Sequence, residues 1–286
     1  MSGDETGGEP LGERFGGRAC AWPRRSGQGP ARLITAEEFR GWVTHEDEQL
    51  LVVDKPGDVV CHPSKHGPWS SLVGAAREST GLPRIHLVFR LDRETSGIVV
   101  MAKDERTAAR LQTAMQKRRV AKRYLAILTG LVEGPVTVDQ PLGDDTSSPV
   151  FIKSAVDPLG RPSVTHFAPL AVGGGCTLVS VVTETGRKHQ IRAHAQWMGH
   201  PLVGDKIYGP DARLYLDFID RGWDAALEAK LLLPRQALHC ASIDLGSGAG
   251  GGCYQAPLPA DLSAFCEARG ISLSEAGRAG APLGAL

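Results

Sequence analysis

Phe89-Arg90-Leu91-Asp92-Arg93-Glu94-Thr95-Ser96-Gly97 is the densest cluster of chemistry-bearing residues in the chain. Charged side chains in a short loop gripped by apolar elements are well placed to present catalytic groups. A solvated turn with internal ion pairs would carry the same composition. A second segment, Lys103 to Arg123, holds eight basic residues against Asp104 and Glu105. Such an excess suits a phosphate backbone, because each neutralised phosphate releases counterions. A solvated helix face would also look like this. The third segment, Thr185-Gly186-Arg187-Lys188-His189-Gln190-Ile191-Arg192-Ala193-His194, sets amide, imidazole and cationic groups at the start of a predicted helix. Helix N-termini can bind anions. His189 and His194 lack the i, i+4 spacing of a helical zinc site, and His62 and His66 are followed by Pro63 and Gly67. No metal site is expected.

The elements that must position these groups follow from periodicity. Gln49 to Asp54 is an apolar run that ends in Lys55-Pro56-Gly57, a predicted strand broken by a turn. Ile98 to Ala102 reads as a buried strand. Asp104 is placed to cap a helix running to about Arg118, with Ala108, Leu111 and Met115 on one face. Val120 to Leu128 alternates as a strand with Lys122 and Tyr124 on one face and Arg123 and Leu125 on the other. Thr177 to Thr183 is a β-branched run and a further strand. Lys188 to Met198 is predicted helical, with Ile191, Ala195 and Met198 inward, a second stripe of Lys188, Arg192 and Gln196, and Gly199 as the stop. The glycines at 173–175 and 246–252 read as loops, since neither has a phosphate-binding pattern. Strands and helices mix without a regular βαβ rhythm, which predicts an α+β domain with a largely antiparallel sheet.

Composition bounds the function classes. The 286 residues are 42% hydrophobic and 22% charged, which excludes wholesale disorder and collagen-like repetition. Lysines and arginines number 32 and acids 32, so any nucleic-acid contact must come from a local patch and not from overall charge. No apolar run approaches the roughly 18–20 residues that would span a bilayer. Met1 to Gly17 has neither the basic start nor the apolar stretch of a signal peptide, so a cytoplasmic protein is expected. The six cysteines (Cys20, Cys61, Cys176, Cys240, Cys253 and Cys266) form no Cys-x-x-Cys pair and read as reduced, mostly buried thiols. Residues 1–32 read as a flexible Gly/Pro/Arg-rich tail, and 33–286 as one ordered domain.

Taken together, the three segments resemble the RluA-type branch of the pseudouridine synthases. The family's central His-Arg-Leu-Asp-Arg-x-Thr-Ser-Gly motif is matched from Arg90 to Gly97, with Phe89 where the family has histidine. Its Lys-Pro motif is matched by Asp54-Lys55-Pro56-Gly57, followed by Val60 and His62-Pro63. Lys122-Arg123-Tyr124 is similar to its Lys-x-Tyr motif. Gly186–Arg192, Gly199–Pro201, Gly204-Asp205, Tyr208-Gly209 and Arg235–His239 match its later blocks, so the resemblance runs over about 48–245.

This resemblance implies the pseudouridine synthase fold, a single α+β catalytic domain whose mixed, largely antiparallel central sheet is flanked by helices and loops. It also implies isomerisation of uridine in ribosomal or transfer RNA, by base flipping and without a cofactor. Asp92 falls on the family's nucleophile, Tyr124 on the tyrosine that packs on uracil and is proposed as base, and Arg192 on the cation that pairs with the aspartate. Arg90 matches the arginine that fills the stack left by the flipped base. Lys55, Lys122, Lys188 and His189 are expected to bind substrate. RNA is the expected partner of a monomer with no obligate protein partner and no membrane association. The family often carries a small RNA-binding domain ahead of the catalytic part. The segment before Leu33 is too short and Gly-rich for one, so the basic stretch is expected to select RNA. Asp211 to Glu228, with Asp217, Asp220 and Asp224, reads as an insertion facing away from RNA. A noncatalytic RNA binder could dispense with Asp92, Tyr124 or Arg192, yet all three are present. A hydrolase of the N-glycosidic bond would need a second well-placed carboxylate, and Glu94 stands too near Asp92 in sequence to converge with it on one substrate.

Overall fold

Local chemistry starts each element before the sheet gathers them. The structure is a computed structural model that describes residues 32–62, 66–246 and 251–274. Helix α1 (Ala36–Trp42) opens with a capping box: the Thr35 hydroxyl accepts from the Glu38 N–H and the Glu38 carboxylate from the Thr35 N–H. Strands β1 (Val43–Glu46) and β2 (Leu50–Lys55) form a hairpin whose turn is held by Asp47 Oδ1, which accepts from the Gln49 and Leu50 N–H groups. Next come α2 (Leu72–Thr80), β3 (His86–Leu87), β4 (Ser96–Ala102), α3 (Glu105–Gln116) and β5 (Ala121–Thr129). The middle of the chain supplies β6 (Val136–Asp139), β7 (Leu142–Asp144), β8 (Ser154–Val156), β9 (Val164–Gly173), β10 (Cys176–Thr183) and α4 (Gln190–Trp197). It ends with α5 (Arg213–Arg221), α6 (Ala225–Leu231), β11 (Leu238–Asp244), β12 (Cys253–Gln255) and α7 (Ala260–Ala268).

Ten strands join one sheet along the path β1-β2-β4-β11-β5-β10-β9-β6, with β12 beside β11 and β3 beside β4; β7 and β8 pair separately. The β4–β11 pair is parallel and the other pairings are antiparallel. This is the mixed, largely antiparallel α+β architecture expected. The parallel pair matters most, because it lets a late strand support the loop that leads into β4.

The main core draws β2, β4 and β5 against α1, α2 and α3, with Phe39, Leu72, Leu111 and Met101 fully enclosed. Each such side chain contributes about 1.5–3 kcal/mol by leaving water. Asp104 caps α3 as expected, accepting from the Thr107 N–H at 2.8 Å. Ala108 and Leu111 are buried on that helix, whereas Met115 is half-buried. In β5 the expected alternation holds: Tyr124, Ala126 and Leu128 enter the main core while Leu125 packs on the other side with Ala241. A second core lies under α7, around Ile127, Leu178, Leu262 and Cys266.

One helix differs from expectation. Helix α4 begins at Gln190, because His189 takes a left-handed backbone (φ 56°) and Gln190 Oε1 accepts from the Thr185 hydroxyl and the Arg187 N–H. That leaves Lys188 off the helix. Ile191 and Ala195 face inward as expected, while Met198 is the half-buried C-cap. The segment Asp211–Glu228 forms α5 and most of α6, which pack through Leu214, Leu227 and Leu231. Residues 1–31 of the expected tail, Pro63, part of the 246–252 loop, Cys20 and the chain after 274 lie outside the described residues. Of the other cysteines, Cys253 is exposed and four are buried and free. Among the described residues no helix is long and apolar enough to cross a membrane.

Candidate active site

Asp92 lies just ahead of β4, in a loop tied down from several elements. The Arg93 side chain bonds Asp58, and the Arg235 guanidinium donates to the Glu94 carbonyl at 3.1 Å. Lys206 donates to Glu94 Oε1 at 2.7 Å, and Gln236 Nε2 to Thr95 Oγ1 at 2.6 Å. Beneath the loop, the fully buried Lys55 donates from Nζ to the carbonyls of Pro56, Val59 and Arg93 at 2.8, 3.0 and 3.1 Å. A buried ammonium is tolerated only where acceptors replace water, and here all three of its protons are engaged. Burial pushes its pKa down to about 8. Lys55, expected to touch substrate, is instead a strut under the Asp92 loop.

Arg192 comes to the loop from α4, its side chain 6% exposed against 33% for Asp92. Its Nε and Nη2 donate to Asp205 Oδ2 and Oδ1 at 2.6 and 2.9 Å, and Nη1 donates to Asp92 Oδ2 at 2.9 Å. The fork geometry of a guanidinium allows this: one edge is fixed by Asp205 so that the remaining donor points at Asp92. Asp205 is itself fixed by the N–H groups of Ile207 and Tyr208, each at 3.0 Å. The Tyr208 ring covers the guanidinium, its centroid 4.9 Å from Cζ.

Electrostatics set the protonation states. Burial pushes the Asp92 carboxyl up, but His189 (charged only in acid), the charge of Arg192 and hydrogen bonds from Arg192 and Gln236 hold it below its ordinary value. Burial and neighbouring Arg192 lower the His189 pKa to about 4, so near neutral pH the imidazole is uncharged and Arg192 supplies the positive charge. His189 Nε2 lies 3.8 Å from Asp92 Oδ2, and Nδ1 lies 3.0 Å from the Tyr208 hydroxyl. That hydroxyl accepts from the Ser154 N–H at 2.7 Å. Its own proton is then available to Nδ1, which leaves the ring proton on Nε2, facing Asp92.

Tyr124 is 7% exposed on β5, beside the Cys240 thiol. Burial, Cys240 and the charge of Asp92 raise its pKa well above the usual value, so the resting side chain is a phenol. Lys122, two residues earlier on the same face, is buried with its ammonium 5.3 Å from the centre of the Phe89 ring. Arg90 is exposed, two residues before Asp92. Lys188 is exposed and bonds Asp144 at 2.6 Å. The structure thus gathers Asp92, Arg192 and His189 in contact, with Tyr124 close enough to feel the charge of Asp92. Asp205 and Tyr208 were visible in the sequence only as motif letters. Gln236 was a letter of the matched Arg235–His239 block, and Lys206 carried no signal beyond its position beside motif residues.

The model of the RNA pseudouridylate synthase family matches residues 49–197, the stretch that carries Asp92, Tyr124 and Arg192. The chain belongs to that family. Among curated proteins it is 35% identical over 79% of its length to "Ribosomal large subunit pseudouridine synthase D" of Nitrosomonas europaea, and 34% identical over 79% to the protein of that name from Vibrio parahaemolyticus. The match spans 64% of the first relative's length and 70% of the second's. Among solved structures, "Human RNA Pseudouridylate Synthase Domain Containing 4" superposes with a TM-score of 0.66 at 22% identity, covering 83% of this chain and 96% of that one. "Human RNA Pseudouridylate Synthase Domain Containing 1" gives 0.59 at 22% identity, over 84% and 96%. At that identity the two human proteins share the fold with this member of the RNA pseudouridylate synthase family.

Proposed function

We propose that this chain isomerises uridine to pseudouridine in large-subunit ribosomal RNA, with Asp92 as the reacting carboxylate. The observation that carries the reading is the Asp205–Arg192–Asp92 chain, which holds one ionised, partly exposed carboxylate in an otherwise buried setting. The relatives' printed names support the ribosomal substrate over transfer RNA.

The reaction breaks the bond from ribose C1′ to uracil N1, turns the base, forms the bond to C5, moves a proton from C5 and leaves a hydrogen on N1. An ionised carboxylate can begin this by attacking the base or the sugar, or by taking a sugar proton. Each route uses the charge that Arg192 preserves against desolvation. The neutral His189 adds a donor aimed at the same carboxylate without adding charge. Tyr124, a phenol at rest, offers its ring as a stacking surface for the flipped uracil and its hydroxyl near the C5 proton. Arg90, exposed beside the loop, fills the gap left in the RNA stack. Water must be kept from the detached sugar, which suits the buried walls around Asp92. No step transfers an electron or calls for a Lewis acid.

Tritium release from large-subunit ribosomal RNA labelled at uridine C5 tests this. Wild-type protein is expected to release label, and Asp92→Asn none while still binding the RNA. Full release by Asp92→Asn would overturn the assignment of Asp92, and release of free uracil would show hydrolysis instead.

A further inference from the structure

Gln236 stands two residues before β11 and is 1% exposed. The parallel register sets His239 beside Ser96 and Cys240 beside Gly97, so following both segments backward brings Gln236 alongside the turn that carries Asp92. Its backbone N–H donates to Glu94 Oε2 at 3.3 Å and its Nε2 to Thr95 Oγ1 at 2.6 Å. The side-chain amide also donates to the Asp92 carboxylate. A primary amide carries two N–H donors, and here both go to the loop. The reverse amide orientation would set a carbonyl oxygen against an ionised carboxylate.

The loop backbone has other supports, from Arg235, from Lys206 and from the Thr95 N–H, which donates to the Asp92 carbonyl at 3.1 Å. What Gln236 adds is a second hold on the reacting group itself. Arg192 Nη1 meets Asp92 Oδ2 at 2.9 Å from the α4 side. One such bond leaves an aspartate free to turn about Cβ–Cγ, a torsion with broad wells. A second donor, arriving from the β11 side, stops that rotation. An amide does so without a second cation, which would lower the basicity of the carboxylate further.

We infer that Gln236 is a positioning residue for the reaction, its side-chain amide and the Arg192 guanidinium holding the Asp92 carboxylate from two different elements in one orientation. The inference rests on the reading of Asp92 as the reacting carboxylate.

Single-turnover tritium release from saturating large-subunit ribosomal RNA, with Kd from fluorescence anisotropy, tests it in two variants assayed well below their melting temperatures. Gln236→Met keeps the bulk and removes both donors. Its rate is expected to fall about ten- to a hundredfold, the scale of a misplaced reacting group, with Kd unchanged. Gln236→Glu places a carboxyl beside Asp92 and Glu94, where Lys206 and Arg235 are already matched to Glu94 and Asp261. Asp92 itself is faced by Arg192, His189, Lys55, Cys61 and Tyr124, and Arg192 keeps it ionised. The proton of the new pair therefore rests on the introduced carboxyl, which burial and two carboxylates push well above the usual glutamate value of about 4.3. Protonated, that carboxyl donates to Asp92 as the amide did; ionised, it repels it. The rate of Gln236→Glu relative to wild type should therefore rise as pH falls from about 9 to about 5. A Gln236→Met rate equal to wild type, a rate loss matched by weaker binding, or a flat ratio for Gln236→Glu would overturn the role. If wild type releases no tritium, the isomerisation reading falls and the carbon NMR shift of the Asp92 carboxyl decides this one. Its titration midpoint should lie higher in Gln236→Met than in wild type, because a donor to the charged form is gone. Equal midpoints would show that Gln236 does not hold Asp92.

Discussion

Asp205 decides what Arg192 can do. Without its bidentate grip the guanidinium would have several rotamers, and the 2.9 Å bond to Asp92 would be one of many. Asp205→Asn leaves Arg192 buried with a weakened counter-charge, and breaking a buried pair from one side typically costs about 3–5 kcal/mol. The variant is expected to lose stability of that order at neutral pH and most of its turnover. The acid limb gives a second reading. Arg192 and the two amide donors hold the folded pKa of Asp205 below its ordinary 3.8. A depressed carboxylate contributes stability that is complete above the unfolded value and lost as pH falls through the folded one. Urea midpoints measured from pH 7 to pH 3 should therefore drop below about pH 4 in wild type and drop less steeply in Asp205→Asn. Equal midpoints at pH 7 would show that Asp205 does not hold the site.

The elements around the loop are set by close backbone approach as much as by packing. Gly97 stands opposite Cys240 in the parallel pairing of β4 with β11, at φ 108°, and a Cβ there would come within 2.3 Å of the Cys240 carbonyl oxygen. No side chain larger than hydrogen fits without parting the two strands, and Tyr124 pairs with the same Cys240 from the other side. Gly97→Ala is expected to cost more than about 4 kcal/mol or to prevent folding, whereas Gly134→Ala, where a Cβ meets nothing within 4 Å, should melt like wild type. Circular dichroism melts of the pair separate a local clash from a general effect of the substitution. The α5–α6 segment also reaches the loop: the rings of Phe218 and Trp223 lie 4.5 and 5.8 Å from Lys206 Nζ, and Lys206 holds Glu94. The acidic insertion read from the sequence thus serves as backing for the loop that carries Asp92.

Across the whole molecule the charges cancel, and only their placement favours an anionic partner. Lys117, Arg118 and Arg119 stand exposed at the end of α3, ahead of the strand that carries Lys122 and Tyr124. Arg118 is partly neutralised by Glu184 at 2.7 Å, so replacing all three by alanine should remove about two phosphate contacts' worth of salt dependence. The slope of log K against log[salt] for ribosomal RNA is expected to fall by about 1.4–1.8. A slope equal to wild type would place RNA on another face of the molecule.

The sequence by itself determined the types of the six elements read from its periodicity, the cap of α3, the two-faced alternation of β5 and the family, because each depends on residues close together in the chain or on motifs in fixed order. Asp92, Tyr124 and Arg192 could be named from those motifs alone. Tertiary structure decided how they act on one another, since Asp92 and Arg192 are separated by a hundred positions and meet at 2.9 Å. It also reassigned Lys55, whose burial under the loop depends on carbonyls from Val59 and Arg93 that no local pattern brings together. The start of α4 shifted for the same reason: periodicity favours helix through Lys188, but Gln190 caps the turn and anchors it to β9 through the Val164 carbonyl. Charge states belong wholly to the fold, because desolvation and the nearest opposite charge depend on three-dimensional neighbours. The charge of His189 is one such case, since burial next to Arg192 lowers its pKa to about 4.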